Sequence, residues 1–471
     1  MQTTVAAMTS QRKQAWARAA IAGLFVLVVL SLGLGARHAD AAEPLVKPRE
    51  IGRVTFAVAG DVIPHQAVVQ SAAAAAQDQA AKTETAKTKT SAGPEAGAID
   101  LHGGWDALFA GVADVFRQAD FGFVNLETPV APTASRGSKP FQFDAPIALL
   151  QSLKASGVKV VSFANNHVFD QGQAGFAETQ QHLQEQGLLF VGAGASAQDA
   201  WKPLILEKNG IKIGWLGMTR WLNGHHNVEQ QSEAHVAFLP YPGSGDEATG
   251  LSEAALLDTI KAARAQCDLL LISIHWGVEY APEPLPHDIE LAHKMLEAGA
   301  GAVIGHHPHV LQQIETYTTQ DQRNTVIFFS LGNFLANQSR AYVDGLMPDK
   351  TGEPRDSIVA KFAVVRRDYG PGGIRVELSQ VGILPVWIQN NHLGLKNGRE
   401  KTPFIRPVLI DRELPRLETR LDELTRATAP LSPEQRQEWI QVSGQLDLLK
   451  HRRELLLGRT GDDYVVAPPN P

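Results

Sequence analysis

Short apolar segments alternate along this chain with segments whose apolar residues recur at helical spacing. Residues 54–59 are typical of a buried strand, whereas residues 105–119 and 251–265 each carry an apolar stripe that predicts a helix. Residues 204–216 hold an Asn-Gly pair between two apolar runs, which predicts a β-hairpin. Helices and strands in alternation indicate an α/β domain, and the hairpin indicates that its sheets are mixed.

Polar residues that can bind metals follow several of the predicted strands. They are Asp61, Glu127, Asn166, His167, His275, His307 and His309. Each has an ordinary explanation when taken alone, such as a helix cap for Asp61 or a surface loop for the histidines. Taken together, carboxylate, amide and imidazole donors suit a pair of divalent ions such as Mn, Fe or Zn. The pattern therefore predicts a dinuclear metal site at the strand ends.

Composition narrows the classes of function. The chain has 471 residues and a net charge of -7 without a strong basic patch, so nucleic acid is not an expected partner. Its one cysteine, Cys267, excludes a disulfide framework within the chain and a cysteine-based zinc site.

Three segments are expected to lie outside the main domain. Residues 1–42 combine basic residues, an apolar run and a small-residue site, which predicts a secretory signal peptide or an uncleaved signal anchor. Residues 71–98 are a low-complexity insertion, either a solvated helix or disordered. Residues 411–458 predict two helices, a surface hairpin or partner-binding appendage. The expected location is periplasmic or secreted, with membrane contact only through an uncleaved N-terminal segment.

The strand-end motifs carry a resemblance to a known family. They are Gly60-Asp61, Asn125-Leu126-Glu127, Asn165-Asn166-His167, His275-Trp276-Gly277, His307-Pro308-His309 and Ser330-Leu331-Gly332-Asn333-Phe334. In this order they resemble the CapA family of poly-gamma-glutamate capsule biosynthesis proteins, which have a calcineurin-like metallophosphoesterase fold. The resemblance implies, for residues 51–390, a four-layer α/β architecture, a β-sandwich flanked by helices.

The resemblance also implies roles for individual residues. The implied metal ligands are Asp61, His65, Glu127, Asn166, His275, His307 and His309. His167 matches the His of the superfamily's Asn-His pair, which donates a proton to the leaving group, and Asp170 would orient it. Glu279, Asn333 and His306 would line the site. The chain departs from the family pattern at Ile63, where the superfamily has a histidine, and His65 is the candidate replacement.

These features lead to three alternative functions. The first is a metal-dependent hydrolase of the metallophosphoesterase superfamily that acts on a phosphoester or a cell-envelope polymer. The second is a non-catalytic accessory protein that binds a polyanionic polymer during capsule synthesis or export, with cell-envelope or capsule-synthesis proteins as partners. The third is an amide hydrolase of poly-gamma-glutamate. Two metal ions would serve phosphoester and amide cleavage equally, so the sequence leaves the bond type open.

Overall fold

The computed structural model describes residues 47–89, 102–137, 139–426 and 430–469. The expected signal segment, residues 1–42, and residues 90–98 of the expected insertion lie outside the described residues. The chain falls into two compact units. In the described part of the small unit, the Asp368 carboxylate accepts hydrogen bonds from the Gly370 amide (2.8 Å) and the Arg49 guanidinium (3.4 Å). Apart from Arg49 and Asp368, each of which is the end residue of a strand, the features described below belong to the large unit.

Sixteen strands occur within the described ranges. They are β1 (Arg49–Val62), β2 (Phe121–Leu126), β3 (Val158–Ser162), β4 (Leu189–Val191), β5 (Ala193–Gly194), β6 (Leu204–Lys208), β7 (Ile211–Thr219), β8 (His235–Val236), β9 (Leu269–His275), β10 (Ala300–His306), β11 (Ile314–Thr318), β12 (Asn324–Phe328), β13 (Asn333–Leu335), β14 (Asp356–Asp368), β15 (Ile374–Asn390) and β16 (Ile405–Leu409).

Eleven α-helices occur in the same part of the chain. They are α1 (Gln66–Lys89), α2 (Trp105–Phe109), α3 (Ala113–Arg117), α4 (Ile147–Ala155), α5 (Gly172–Gln186), α6 (Ala197–Ala200), α7 (Glu253–Arg264), α8 (Pro286–Glu297), α9 (His392–Lys396), α10 (Ile410–Thr425) and α11 (Pro433–Thr460). None of these helices is both long and apolar enough to span a membrane. The prediction of one helix over residues 105–119 was wrong, because the backbone leaves the helical conformation at Val112 (φ −133°) and two short helices result.

The strands form two large mixed sheets, as the sequence predicted. One has eight strands in the order β16-β15-β14-β1-β2-β3-β4, with β13 also paired to β1, and the other has six in the order β11-β12-β10-β9-β7-β6. The predicted hairpin is β6 and β7, which are antiparallel and joined by Asn209-Gly210 with positive φ at both residues. The predicted α/β class is confirmed.

Successive side chains along a strand point to opposite faces of the sheet and so pack into different hydrophobic cores. On β1, Val54, Phe56 and Val58 belong to the core shared by both large sheets, whereas Ala57 and Ala59 belong to a core shared with α2–α5. A third core joins the outer face of the six-stranded sheet to α7 and α8. The core shared by both sheets and the cores shared with helices therefore lie on opposite faces of the strands.

The two C-terminal helices are anchored in the body of the large unit by a buried ion pair. Arg452 on α11 is fully buried, and its Nε donates to Asp356 Oδ1 at the start of β14 (3.0 Å). Its Nη1 donates to the Asp349 carbonyl (3.1 Å), and its Nη2 contacts the second oxygen of Asp356. Leu456, one turn later, belongs to the core between the two sheets.

Candidate metal centre

Two carboxylates of the centre come from neighbouring strands of the eight-stranded sheet. Asp61 near the end of β1 pairs in register with Asn125 of β2, and Glu127 directly follows β2. The Asn125 Nδ2 group donates to Asp61 Oδ1 (2.8 Å) and lies 3.3 Å from Glu127 Oε2. All three residues are fully buried. One amide thus holds two carboxylates side by side at the strand ends.

The imidazoles come from the six-stranded sheet. His275 ends β9 and pairs in register with His306, which ends β10. The next residues turn sharply, with φ of 98° at His307 and 58° at His309, a conformation that non-glycine residues adopt rarely. The turn brings the His307 amide to 3.4 Å and His309 Nδ1 to 3.2 Å from Asp61 Oδ2. The two sheets therefore meet at this cluster of side chains.

Glu127 Oε1 is a buried oxygen that has no hydrogen-bond partner among the described residues. Three imidazole Nε2 atoms surround it, those of His309 at 3.7 Å, His275 at 3.9 Å and His167 at 4.0 Å. A buried carboxylate oxygen that lacks any donor is costly by about 1–3 kcal/mol or more. A buried oxygen without a donor, surrounded by imidazole nitrogens, is suited to bind a cation.

Burial and the charges of neighbouring histidines lower the pKa values of His275 and His307 and keep these two rings neutral. Burial, together with the charge of His309, lowers the pKa of His307 to about 3, and burial with the charge of His307 lowers the pKa of His275 far below its ordinary value. Burial alone would raise the pKa of Asp61, but hydrogen bonds from His306 and His309 outweigh it and lower that pKa. Burial raises the pKa of Glu127, with the charge of Asp61 adding to it. Neutral imidazoles offer the lone pairs that metals bind.

The donor atoms form two adjacent groups. Asp61, Glu127 and His275 form one, and Glu279, His307 and His309 form the other, with all donors of a group within 4.8 Å of one another. The side-chain oxygen Oδ1 of Asn166 lies 3.0 Å from His275 Nε2. Carboxylate, amide and imidazole donors match borderline divalent ions, and the orphaned oxygen of Glu127 fits a cation. The residues present therefore fit a pair of divalent metal ions.

His167 and Asp170 form a hydrogen-bonded pair at the edge of the centre. Their Nδ1 and Oδ2 atoms are 2.8 Å apart, and the same carboxylate oxygen accepts from the Phe143 amide (2.6 Å). The His167 amide donates to Asn165 Oδ1 (3.1 Å). With Nδ1 engaged by Asp170, the Nε2 atom of His167 is the one directed at Glu127 and the centre.

His65 lies apart from both donor groups. Its Nδ1 is 3.3 Å from the Ile63 carbonyl oxygen and from the Asn337 amide, and its ring packs against Phe143. Burial lowers the pKa of His65 to about 4. Ile63 is buried in the core shared with the helices.

The three residues expected to line the site take different positions. Glu279 is exposed and belongs to the second donor group. His306 is buried, with Nδ1 3.5 Å from Asp61 Oδ1. The Asn333 Nδ2 group donates to the carbonyl oxygens of His309 (3.2 Å) and Pro354 (2.8 Å), so Asn333 supports the histidine loop from behind.

Sequence reasoning missed the amides that organise the centre. Asn125 joins the two carboxylates, and Asn165 donates to Asn125 Oδ1 (3.3 Å) and to the Leu126 carbonyl (2.8 Å). A signal was available for Asn125, because it stands two residues before Glu127 at a strand end, and side chains two apart share a face.

Comparisons with known proteins identify the family of this chain. Residues 55–338 match the family described as Bacterial capsule synthesis protein PGA_cap. The PGA biosynthesis protein CapA of Bacillus subtilis (strain 168) is 33% identical over 238 residues, which are 50% of this chain and 58% of that protein. The Capsule biosynthesis protein CapA of Bacillus anthracis is 30% identical over 243 residues, 50% of this chain and 55% of that protein.

A more distant relative is described as a probable polyglutamine synthesis accessory protein of Mycobacterium tuberculosis (strain ATCC 25618 / H37Rv). It is 25% identical over 214 residues, 42% of this chain and 52% of that protein. The chain thus spans little more than half the length of these curated relatives. The family match covers more than half of the chain and includes Asp61, Glu127, His167, His275 and His309. The chain belongs to the family of bacterial capsule synthesis proteins, PGA_cap.

Proposed function

We propose that this protein is a metal-dependent hydrolase that acts on a phosphoester or on a capsule or cell-envelope polymer outside the cytoplasm. The observation that carries this proposal is the orphaned Oε1 of Glu127, which faces the Nε2 atoms of three histidines. The unpaired Glu127 oxygen and the unpaired Nδ1 atom of the neutral His307 ring would both gain a partner if a cation lay among the donors. A purely structural cluster would instead pair each acceptor with a donor.

The architecture supports our proposal that the hydrolase is of the metallophosphoesterase type. Two mixed sheets share one core, each carries helices on its outer face, and the donors lie at strand ends where the two sheets meet. A site of this kind draws ligands from several strands, which fixes their relative positions rigidly.

The residues that would hold two divalent ions, Mn, Fe or Zn, are those of the two donor groups with Asn166. Such ions act as Lewis acids toward a phosphoryl or carbonyl oxygen and promote attack by water. Asn125 holds Asp61 and Glu127 in place for them, and the left-handed backbone at His307 and His309 aims both rings inward.

His167 is the proposed general acid. Asp170 accepts from Nδ1 and stabilises the protonated ring, so that Nε2 can deliver a proton to the leaving group. Asn165 fixes the backbone of His167, and the Phe143 ring packs on the imidazole with ring centres 4.5 Å apart. These contacts fix the tautomer and the ring orientation of His167 for the proton transfer.

The test combines metal analysis with turnover. Mature protein is expected to contain about two Mn, Fe or Zn ions per chain and to hydrolyse an aryl phosphodiester, an aryl monoester or a γ-linked glutamate oligomer. Chelation should abolish hydrolysis, and adding the ion back should restore it. Bound metal without turnover of any of the three substrates would refute the hydrolase proposal.

A second candidate is a non-catalytic role in capsule synthesis. It is favoured by the description of one relative as a synthesis accessory protein. In that case the metal centre would bind an anionic polymer and partner proteins without cleaving a bond. Bound metal, polymer binding and no hydrolysis would together select this candidate.

A further inference from the structure

The loop that follows β9 joins the two donor groups of the centre. His275 ends β9 and belongs to the first donor group, with Asp61 and Glu127, whereas Glu279, four residues later, belongs to the second. Glu279 is exposed, and its carboxylate makes no hydrogen bond or ion pair within the part of the chain that the structure describes. The backbone of residues 276–280 therefore decides where this carboxylate lies.

Gly277 stands midway between these two donors, and side chains hold both of its backbone polar groups. Its amide donates to the Tyr241 hydroxyl (2.7 Å), and its carbonyl oxygen accepts from Trp221 Nε1 (2.9 Å). Its φ of 83° lies in the left-handed region that favours glycine. The segment between β7 and α7 thus sets the course of the loop through two side chains.

The Tyr241 hydroxyl is fixed in turn by Asp288 on α8. It donates to Asp288 Oδ2 (2.9 Å) while it accepts from the Gly277 amide. Burial, together with the charge of Asp288, raises the pKa of Tyr241, so the hydroxyl keeps the proton that it donates. Two hydrogen bonds in series therefore link the buried Asp288 to the loop that carries Glu279.

The ring of Tyr241 is held by Arg220, whose guanidinium carbon lies 3.8 Å from the ring centre. The Arg220 side chain is fully buried, and its Nη2 donates to Glu253 Oε1 on α7 (2.8 Å). Its Nη1 lies 3.6 Å from Asp288 Oδ1, and its backbone amide donates to the His275 carbonyl (2.8 Å). Ring and hydroxyl of Tyr241 are thus both fixed before the tyrosine reaches Gly277.

We propose that Tyr241, oriented by Asp288 and assisted by Trp221, is a positioning residue that keeps Glu279 within reach of an ion bound by the second donor group. Among the described residues, Tyr241 has no hydrogen bond or ring contact with a donor of either group, so it acts through Gly277. This role rests on the proposed function in so far as the centre holds two ions, and it does not depend on which bond is cleaved.

The donors of the first group have separate supports. Asn125 donates to Asp61 and lies beside Glu127, and His275 is held in β9 by its pairing with β10. Loss of the Tyr241 hydroxyl should therefore weaken the ion of the second group and leave the ion of the first group unaffected.

The test measures metal affinity rather than turnover. The native protein and Tyr241→Phe are stripped with a chelator and titrated calorimetrically with Mn²⁺ and, in parallel, with Zn²⁺. Residues that orient metal ligands contribute about 10–100-fold to metal affinity. One ion should therefore bind about tenfold or more weakly in Tyr241→Phe, which keeps the ring against Arg220, and the other should bind with native affinity.

Glu279→Ala separates a positioning role from a general loss of stability. It removes a donor of the second group alone and so identifies the ion of that group in the titration. If Tyr241 acts through Glu279, adding Tyr241→Phe to Glu279→Ala should weaken this ion no further. Additive losses in the double variant would overturn the inference, because the tyrosine would then act on the centre by another route.

Tyr317→Phe is the matched control. It removes a hydroxyl that donates to Glu297 at the other end of α8 (2.9 Å), and it should leave both affinities unchanged. Trp221→Phe removes the donor to the Gly277 carbonyl at a partly exposed position. It should weaken the same ion as Tyr241→Phe, and it provides the second variant if Tyr241→Phe fails to fold.

The outcomes distinguish this role from the proposed hydrolase. Native affinity for both ions in Tyr241→Phe would overturn the inference alone. A native protein that binds fewer than two ions of either metal would overturn it together with the metal centre. Two bound ions, the selective loss in Tyr241→Phe and no hydrolysis by the native protein would refute the hydrolase and leave the role of Tyr241 established.

Discussion

Two buried clusters of charged residues in this protein differ in how their polar atoms are satisfied. In the ion pair that anchors the C-terminal helices, Arg452 donates two hydrogen bonds to Asp356, and its remaining guanidinium nitrogen also has an acceptor. At the candidate metal centre, Glu127 Oε1 and His307 Nδ1 have no hydrogen-bond partner within the described ranges, although both residues are buried. The polar atoms of the Arg452–Asp356 pair satisfy one another, whereas those of the candidate centre would be satisfied only by a bound cation.

The difference separates stability from function. A completed buried ion pair holds the fold, and removing one partner is costly. Incomplete clusters reduce stability and persist where a ligand or a reaction uses them. The following variants test whether the two clusters divide these roles.

The largest effect is expected from His309→Ala. His309 belongs to the second donor group and also contacts Asp61 and Glu127, so its loss should remove metal and with it all hydrolysis. Metal content by mass spectrometry and turnover of the aryl diester provide the measurements. His293→Ala is the matched control, since His293 contacts Glu315 and no residue of the centre. Retention of two ions in His309→Ala would contradict the ligand assignment.

A smaller but still large effect is expected from His167→Ala. General acids contribute about 10²–10⁴-fold, so kcat should fall by that factor while the metal content stays at two ions per chain. Asp170→Asn should give an intermediate loss, because the ring would keep its place but lose the charge that stabilises its protonated form. Unchanged kcat in His167→Ala would show that the proton comes from elsewhere.

Arg452→Met tests the other side of the comparison. It leaves Asp356 buried without its partner, which should lower the free energy of unfolding by about 3–5 kcal/mol, measured by urea denaturation. Metal content and kcat of the folded fraction should remain those of the native protein. Adding Asp356→Asn should recover part of the loss, because the uncompensated charge is then removed. A loss of metal in Arg452→Met would mean that the two clusters are not independent.

The smallest expected effect is the contribution of His65 to the loss of stability at low pH. Burial lowers the pKa of His65 to about 4, so the folded state resists a proton that the unfolded chain binds below about pH 6.5. This contribution to stability is therefore present above pH 6.5 and is lost as the pH falls toward 4, at most about 3 kcal/mol. His65→Gln should show a shallower decline of unfolding free energy over that interval. An identical decline in both proteins would exclude His65 as a source.

The sequence predicted much of the fold and the identity of the donors because both are local signals. Residues 54–59 alternate as a strand must, and Asp61 follows them at the strand end, where the structure places it. The site roles of Asp61, Glu127 and the histidines stay predictions until metal is measured. The expected pairing of Asp170 with His167 is present, and the two residues are only three positions apart.

The features that sequence reasoning missed depend on distant parts of the chain. Residues 411–458 were predicted to form a surface hairpin or a partner-binding appendage, but Arg452 in this segment is buried against Asp356, 96 positions earlier. No local pattern signals a pair of that kind. The break between α2 and α3 also involves a distant part of the chain. A Cβ atom on Gly111, at the break, would lie only 3.3 Å from the carbonyl oxygen of Pro407. Contacts across the fold, rather than local propensity, decide such positions.

The origin of the donors in two different sheets has a further consequence. Asp61 and Glu127 extend from the eight-stranded sheet, and His275, His307 and His309 from the six-stranded sheet. Ions held among them would hold the two sheets together. An ion at a thousand times its dissociation constant would add about 4 kcal/mol to the stability of the fold. Metal supply would then set the lifetime of the protein as well as its activity, and starvation for metal would expose it to proteolysis.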